Sequence, residues 1–168
     1  FEMKEICEVL YKRLALEWDL KENQGKCFED AILAPQNQWY WKCKHHQHSW
    51  KDTLTQRLKG HHCPYCQERK LLSGFNDFAT KEPELLKEWH PTKNESINPT
   101  QVLSNNSRKV WWQCEKGHEW EAEIKYRVQG RKCPYCQNKK ILPGFNDFAT
   151  KEPELSKEWH PIKNKTID

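Results

Sequence analysis

A near-identical segment occurs twice in this chain, 70 residues apart. GFNDFATKEPELLKEWHPTKN at 74–94 returns as GFNDFATKEPELSKEWHPIKN at 144–164. The same interval relates two Cys-Pro-Tyr-Cys motifs, which contribute Cys63, Cys66, Cys133 and Cys136. Internal repetition at a fixed period indicates a tandem array of one small module.

A divergent copy of the repeat precedes these two segments. WYWKC at 39–43 corresponds to VWWQC at 110–114 with an interval of 71, so one residue is inserted between Cys43 and Cys63. The third copy stops before its cysteines, and we expect the chain to be an excerpt of a longer protein. The predicted units are A at 1–73, B at 74–143 and an incomplete C at 144–168.

The composition leaves little material for a large core. The mean hydropathy is −1.09 and 36% of the residues are hydrophobic. Small hydrophilic modules of this kind need a disulfide or a metal to be stable, and eight cysteines can supply either. We find no apolar run long enough to span a membrane and no signal peptide, so we expect a cytoplasmic, intracellular protein with reduced thiols.

The two Cys-Pro-Tyr-Cys motifs fit a metal site better than a redox site. Glutaredoxins use this sequence as a dithiol, but they need it once, after the first strand of a βαβ domain. Here it closes each unit, and a second pair of donors lies upstream, as Cys43-x4-His48 and Cys114-x3-His118. Four donors in two close pairs suit tetrahedral zinc. We predict two zinc ions per chain, with a dithiol redox protein as the weaker alternative; the predicted ligands are Cys43, His48, Cys63, Cys66, Cys114, His118, Cys133 and Cys136.

Unit A leaves the histidine ligand open among three candidates. His45 and His46 also follow Cys43, and only the shared H-x-W triplets favour His48. Cys7 and Cys27 align with residues that cannot bind zinc, so we expect free or buried thiols there.

Each unit is expected to contain a short helix followed by a β-hairpin. Thr80 is a candidate cap for a helix over KEPELLKEW, and KVWWQC and HEWEAEI alternate as strands do. The alternation places Val110 and Trp112 in the core and turns Trp111 the other way. A structural or capping role is expected for His90 and His160.

Three stretches together resemble a known family: EWHPTKN at 88–94, VWWQCEKGHEW at 110–120 and RKCPYC at 131–136. They resemble the bacterial treble-clef, zinc-ribbon-like repeats, which occur in tandem and are often joined to endonuclease domains related to very-short-patch repair enzymes. The resemblance covers nearly the whole chain. It implies small α+β modules with a zinc knuckle, a hairpin and a second ligand pair at the start of a helix. It also implies further repeats or a nuclease domain in the longer protein.

Charge alternates along the chain with the period of the repeat. Residues 34–70 and 104–140 each carry a net charge of +5, whereas 1–33 and 74–98 carry −3 and −2. A basic patch repeated at a fixed period suits a polyanion. We therefore predict binding to nucleic acid, with a protein-interaction or spacer array as the alternative; the resemblance to repeats joined to endonuclease domains favours DNA over RNA. The candidate contacts are Arg57, Lys59, Arg69, Lys70, Arg108, Lys109, Trp111, Arg127, Arg131, Lys132, Lys139 and Lys140.

No catalytic activity is predicted. The hairpin histidines are used as zinc ligands, and a site closed by four protein donors has no open position for water.

Overall fold

The structure, a computed structural model, describes residues 2–160 and 163–164, with side chains from residue 7 onward. It divides into two compact units, unit 1 over Phe1–Asn76 and unit 2 over Asp77–Asp168. The last part of predicted unit C, at 161–162 and 165–168, lies outside the described residues. Within the described part, no helix is long and apolar enough to cross a membrane.

Unit 1 contains three helices and one hairpin. The helices are α1 (Glu2–Ala15), α2 (Phe28–Leu33) and α3 (Leu54–Leu58), and the strands are β1 (Gln38–Lys42) and β2 (Ser49–Thr53). The antiparallel register places Trp41 opposite Trp50. Trp39 and Trp41 alternate with exposed or half-buried neighbours and lie in the core, as the strand period predicts.

Unit 2 repeats this plan with shorter helices before its hairpin. The helices are α4 (Phe78–Lys81), α5 (Pro83–Leu86), α6 (Ile124–Val128), α7 (Phe148–Lys151) and α8 (Pro153–Ser156), with a 3₁₀ turn over Pro99–Gln101; the strands are β3 (Lys109–Gln113) and β4 (Glu119–Glu123). Trp112 pairs with Trp120, and Val110 and Trp112 are buried. The predicted tandem of small α+β modules is confirmed.

The helix predicted over KEPELLKEW is instead two single turns. Pro83 begins α5, and its ring cannot continue the hydrogen-bond pattern of α4. The cap is Asp77 rather than Thr80: Asp77 accepts hydrogen bonds from the Thr80 amide (2.9 Å) and the Thr80 hydroxyl (2.8 Å). The prediction of a Thr80 cap was therefore wrong, since Thr80 lies inside α4 and the carboxylate of Asp77 accepts from its amide.

An aromatic triad forms the centre of each core. In unit 2, Phe78, Trp89 and Trp112 contact one another with ring centroids 5.3–5.8 Å apart. In unit 1 the corresponding triad is Trp18, Trp41 and Phe28, with centroids 5.4–6.2 Å apart. Tilted and edge-on arrangements of this kind are those that aromatic rings prefer.

Each Cys-Pro-Tyr-Cys motif begins one tight turn rather than a helix. In unit 1 the Gln67 amide bonds to the Cys63 carbonyl at 3.0 Å, and the Arg69 amide bonds to the Pro64 carbonyl at 2.9 Å. Glu68 closes the turn at φ 53°, in the left-handed region that normally ends a helix. The helix that the family resemblance implies at this point is thus shortened to a single turn.

Candidate metal centres

The hairpin presents the first pair of donors in each unit. Cys114 follows β3 and His118 precedes β4, and the Cys114 amide bonds to the His118 carbonyl at 3.1 Å. Gly117 makes the turn between them at φ 81°. In unit 1 the same turn, from Cys43 to His48, is one residue longer.

The tight turn presents the second pair. A C-x-x-C spacing lets one turn direct both thiols to the same point, here next to the two donors of the hairpin. Each unit thus gathers three thiols and one imidazole whose donor atoms all lie within 4.8 Å of one another. The two groups are Cys43, His48, Cys63, Cys66 and Cys114, His118, Cys133, Cys136.

The separations in unit 2 are those of a zinc coordination tetrahedron. With Zn–S near 2.3 Å and Zn–N near 2.0 Å, neighbouring ligands stand about 3.8 Å (S to S) or about 3.5 Å (S to N) apart. Cys114 Sγ lies 3.9 Å from Cys136 Sγ. His118 Nδ1 lies 3.4 Å from Cys114 Sγ, 3.3 Å from Cys136 Sγ and 3.6 Å from Cys133 Sγ.

Unit 1 has the same geometry. Cys43 Sγ lies 3.7 Å from Cys66 Sγ, and His48 Nδ1 lies 3.7 Å from Cys63 Sγ and 4.0 Å from Cys66 Sγ. A disulfide requires about 2.0 Å. All eight cysteines, each within the described part, are free thiols. The donor set and its spacing fit one zinc ion per unit, two per chain.

Close packing of the thiols makes a full set of thiolates unfavourable until a cation is bound. Burial and the neighbouring thiols raise the pKa of Cys66 to about 12 and that of Cys136 to about 11. Burial also opposes ionisation of Cys114, but the backbone N–H groups of His118 and Lys116 and the neighbouring thiols outweigh it and lower its pKa. A divalent cation offsets the repulsion, so zinc binding must displace thiol protons.

A buried arginine supports each cluster. Its burial contradicts the prediction that it contacts nucleic acid. Arg57 and Arg127 are each 3% exposed, so neither reaches a phosphate, although both were predicted nucleic-acid contacts. Arg127 lies 5.0 Å from the Trp112 ring and 5.3 Å from the Trp120 ring. Arg57 lies in the same way against Trp41 and Trp50.

Both arginines connect the start of the unit to its second cysteine pair. Arg127 forms an ion pair with Glu88 and donates to the carbonyl of Arg131, two residues before Cys133. Arg57 pairs with Glu17 and donates to the carbonyl of His61. This support was not predicted from the sequence, although the sequence carries a signal for it. Its signal is the repetition itself, because glutamate and arginine recur at both positions of the period.

The three residues at 74–76 cover the cluster of unit 1. The Phe75 ring lies edge-on to the His48 ring, with centroids 4.3 Å apart. The Asn76 side chain accepts from the Leu72 amide (2.7 Å) and donates to the carbonyls of Tyr65 (2.9 Å) and Lys70 (2.8 Å), which pins the tight turn. Residues 144–146 do the same in unit 2, where Phe145 lies 4.2 Å from His118. We call 74–76 and 144–146 the cover segments.

The other residues predicted to contact nucleic acid lie at or near the surface. The exposed side chains are Lys59, Arg69, Lys70, Arg108, Lys109, Arg131, Lys132, Lys139 and Lys140. Trp111 is half-buried, and the Lys93 amino group lies 4.3 Å from its ring centroid. Beside the unit 2 cluster is an open cleft of about 500 Å³, whose lining includes Lys116, Arg131, Lys132, Glu88 and Glu115.

Comparison with known proteins agrees with this geometry. The sequence matches the family described as a probable treble clef zinc finger domain twice, over residues 14–69 and 85–139. Each match contains all four donors of one cluster, and together they cover more than half of the chain. No curated protein matches the sequence. With two Cys₃His clusters in two matched repeats, the chain belongs to the probable treble clef zinc finger domain family.

Proposed function

We propose that the two zinc units bind nucleic acid through basic side chains next to the second cysteine pair. The observation that carries this proposal is the cleft of unit 2, whose lining includes Lys116, Arg131 and Lys132 beside the cluster. Lysine and arginine side chains gathered in a cleft suit the phosphates of a nucleic-acid backbone. Of the two acidic groups there, Glu88 is paired with Arg127.

The zinc in this proposal is structural. Four protein donors leave it no open position for a reacting water, so its role is to hold the hairpin and the tight turn together. Duplex DNA is the first candidate ligand because the repeats that this chain resembles are often joined to DNA endonuclease domains. On this proposal the units target a longer protein, with further repeats or a nuclease-type domain, to nucleic acid.

The test is an electrophoretic mobility shift at two salt concentrations, with duplex DNA, single-stranded DNA and RNA as the arms. Arg131→Ala combined with Lys132→Ala should weaken binding to all sequences alike. The variant should also flatten the log–log salt slope by about 2 at most, since each phosphate contact contributes about 0.9. Zinc content must stay at two per chain.

The matched control also removes two positive charges from unit 2. Lys87 and Lys157, just after α5 and α8, each pair with a glutamate three residues earlier, and neither is among the residues that line the cleft. Lys87→Ala combined with Lys157→Ala should leave the affinity and the slope nearly unchanged. Wild-type binding by the Arg131 and Lys132 variant, or equal losses in both variants, would refute the proposal.

A second candidate function, a spacer array in which the next repeat packs against this one, is favoured by an exposed apolar segment. Phe148, Leu155 and Trp159 are each 43–51% exposed, whereas their counterparts Phe78, Leu85 and Trp89 pack into the core of unit 2. The segment therefore suits a tryptophan-bearing hairpin like β3–β4. Appending a copy of residues 95–146 after Asn164 should add a third bound zinc and bury Trp159. Unchanged zinc content would argue against this docking.

A further inference from the structure

His46 is a fifth zinc-capable donor at the cluster of unit 1. Its Nδ1 lies 3.4 Å from Cys66 Sγ, which is the separation of two ligands on one zinc ion. Its ring stacks on the ring of His48, with centroids 5.5 Å apart and planes 15° apart. Phe75 contacts both rings.

The longer knuckle of unit 1 creates this second option. Between Cys43 and His48 there are four residues, and between Cys43 and His46 there are two. Both spacings lie within the range of two to four residues that separates the two ligands of a C-x₂₋₄-C zinc pair. Unit 2 has Gly117 in this part of its shorter turn, which offers no donor, so the option belongs to unit 1 alone.

We infer that His46 is a reserve ligand, which hydrogen-bonds to Cys66 while His48 holds the metal and takes the metal itself when the His48 imidazole is lost. In the first arrangement the neutral His46 ring donates its Nδ1 proton to the Cys66 thiolate. In the second, Nδ1 gives up that proton and binds zinc, while Nε2 takes up a proton from solvent. The exposure of His46 makes this exchange accessible.

The test compares single and double variants of the full chain by zinc competition against a chelator. His48→Ala should keep two zinc ions, with the site of unit 1 weakened by about tenfold, the lower end of the loss seen when a supporting group of a metal site is removed. His118→Ala has no substitute donor and should weaken the site of unit 2 by about a hundredfold or more. His46→Ala combined with His48→Ala should match His118→Ala.

A matched control uses the neighbouring imidazole. The His45 side chain is exposed, and its ring lies 6.4 Å from that of His46. His45→Ala combined with His48→Ala should therefore behave like His48→Ala alone.

Nuclear magnetic resonance can show directly whether His46 or a water molecule replaces His48 as the fourth zinc ligand. Long-range ¹H–¹⁵N spectra of the histidine rings report which ring nitrogen is bound to metal. In zinc-loaded His48→Ala, Nδ1 of His46 should become metal-bound. The inference is overturned if that nitrogen stays free, or if His48→Ala loses the zinc of unit 1 as fully as the double variant does.

Discussion

Arg127 is a charged side chain placed where a tryptophan-rich core would normally exclude one. It is nearly fully buried between Trp112 and Trp120, and its Nε has no hydrogen-bond partner among the described residues. Burial lowers its pKa, and the Glu88 carboxylate opposes that shift. The guanidinium is thus tolerated only while Glu88 and the Arg131 carbonyl replace its lost hydration.

We expect Arg127→Ala to lower the free energy of unfolding of unit 2 by about 3 kcal/mol, because it removes the ring contacts and leaves Glu88 unpaired. Denaturant unfolding followed by zinc release to an indicator measures this. Lys125→Ala removes a cation paired with Glu123 nearer the surface and should cost less than about 1 kcal/mol. Similar losses in the two variants would contradict the supporting role of Arg127.

Two corresponding polar pairs explain why unit 1 has Asp19 where unit 2 has a histidine. His90 Nε2 donates to Glu119 at 2.8 Å, and its Nδ1 accepts from the Lys93 amide at 3.1 Å. Asp19 accepts from the Ser49 hydroxyl at 2.8 Å and from the amide three residues on. In unit 2 the residue before the hairpin donates to the residue on the strand, and in unit 1 the residue on the strand donates to the residue before the hairpin. The capping role predicted for His90 is confirmed.

This exchange predicts coupled substitutions. His90→Asp alone sets a carboxylate against Glu119 and should destabilise unit 2. Adding Glu119→Ser restores the pairing of unit 1, so we expect a coupling free energy of about 1–2 kcal/mol in a double-mutant cycle measured by thermal unfolding. Simple additivity would show that the two positions do not interact.

At the scale of elements, the cover segments hold the tight turns that carry the second cysteine pairs. Asn76 is 1% exposed and makes three hydrogen bonds with the backbone of that turn. Asn76→Ala should destabilise unit 1 by about 3 kcal/mol, at about 1 kcal/mol for each bond, and should speed zinc loss from its cluster.

The repeat supplies the controls for Asn76→Ala. Asn146→Ala should speed zinc loss from unit 2 instead, because Asn146 makes the same three bonds there. Gln67→Ala, at an exposed position of the tight turn that Asn76 holds, should change neither rate. Equal effects of Asn76→Ala on both clusters would mean that the cover segment 74–76 does not act on the cluster of unit 1 alone.

What the sequence allows one to predict depends on whether a feature repeats. The clusters were predictable because both donor pairs recur in step, and the strands because Val110 and Trp112 alternate with exposed neighbours. Phe28 was not predictable: it fills the place of Phe78 from a different position in the repeat, where alignment offers only the exposed Cys7. Phe28 and Phe78 occupy the same place in the two cores although they do not align in the sequence.

Net charge did not predict which individual cations lie at the surface. The net charge of each zinc-bearing span says nothing about which cations are buried, so Arg57 and Arg127 were grouped with the surface lysines. Burial of these arginines depends on Glu17, Glu88 and four tryptophans that come together only in the fold. The helix expected over KEPELLKEW is broken because Pro83 has no backbone N–H to continue α4.

At the scale of the whole molecule, each unit has its own small core and its own cluster. Removing zinc with a chelator should unfold both units, because the core of either is too small to fold alone. Elemental analysis should return two zinc ions per chain. Circular dichroism that is unchanged after chelation would contradict this.

Cys136→Ser tests whether the two units depend on separate zinc ions. It should unfold unit 2 and leave the zinc content of unit 1 intact, giving one ion per chain. Loss of both ions would show that the units fold as one.

The cover segments also set where this chain can be shortened or lengthened. Asn76 completes one folded unit and Asp77 caps the first helix of the next, and the same two residues recur as Asn146 and Asp147. Joining residue 76 directly to residue 147 would delete one whole period and create no junction that the chain does not already contain. A duplication of residues 77–146 would be equally seamless. The number of fingers in such an array is therefore free to change by unequal recombination, with each surviving finger keeping its cover and its cap.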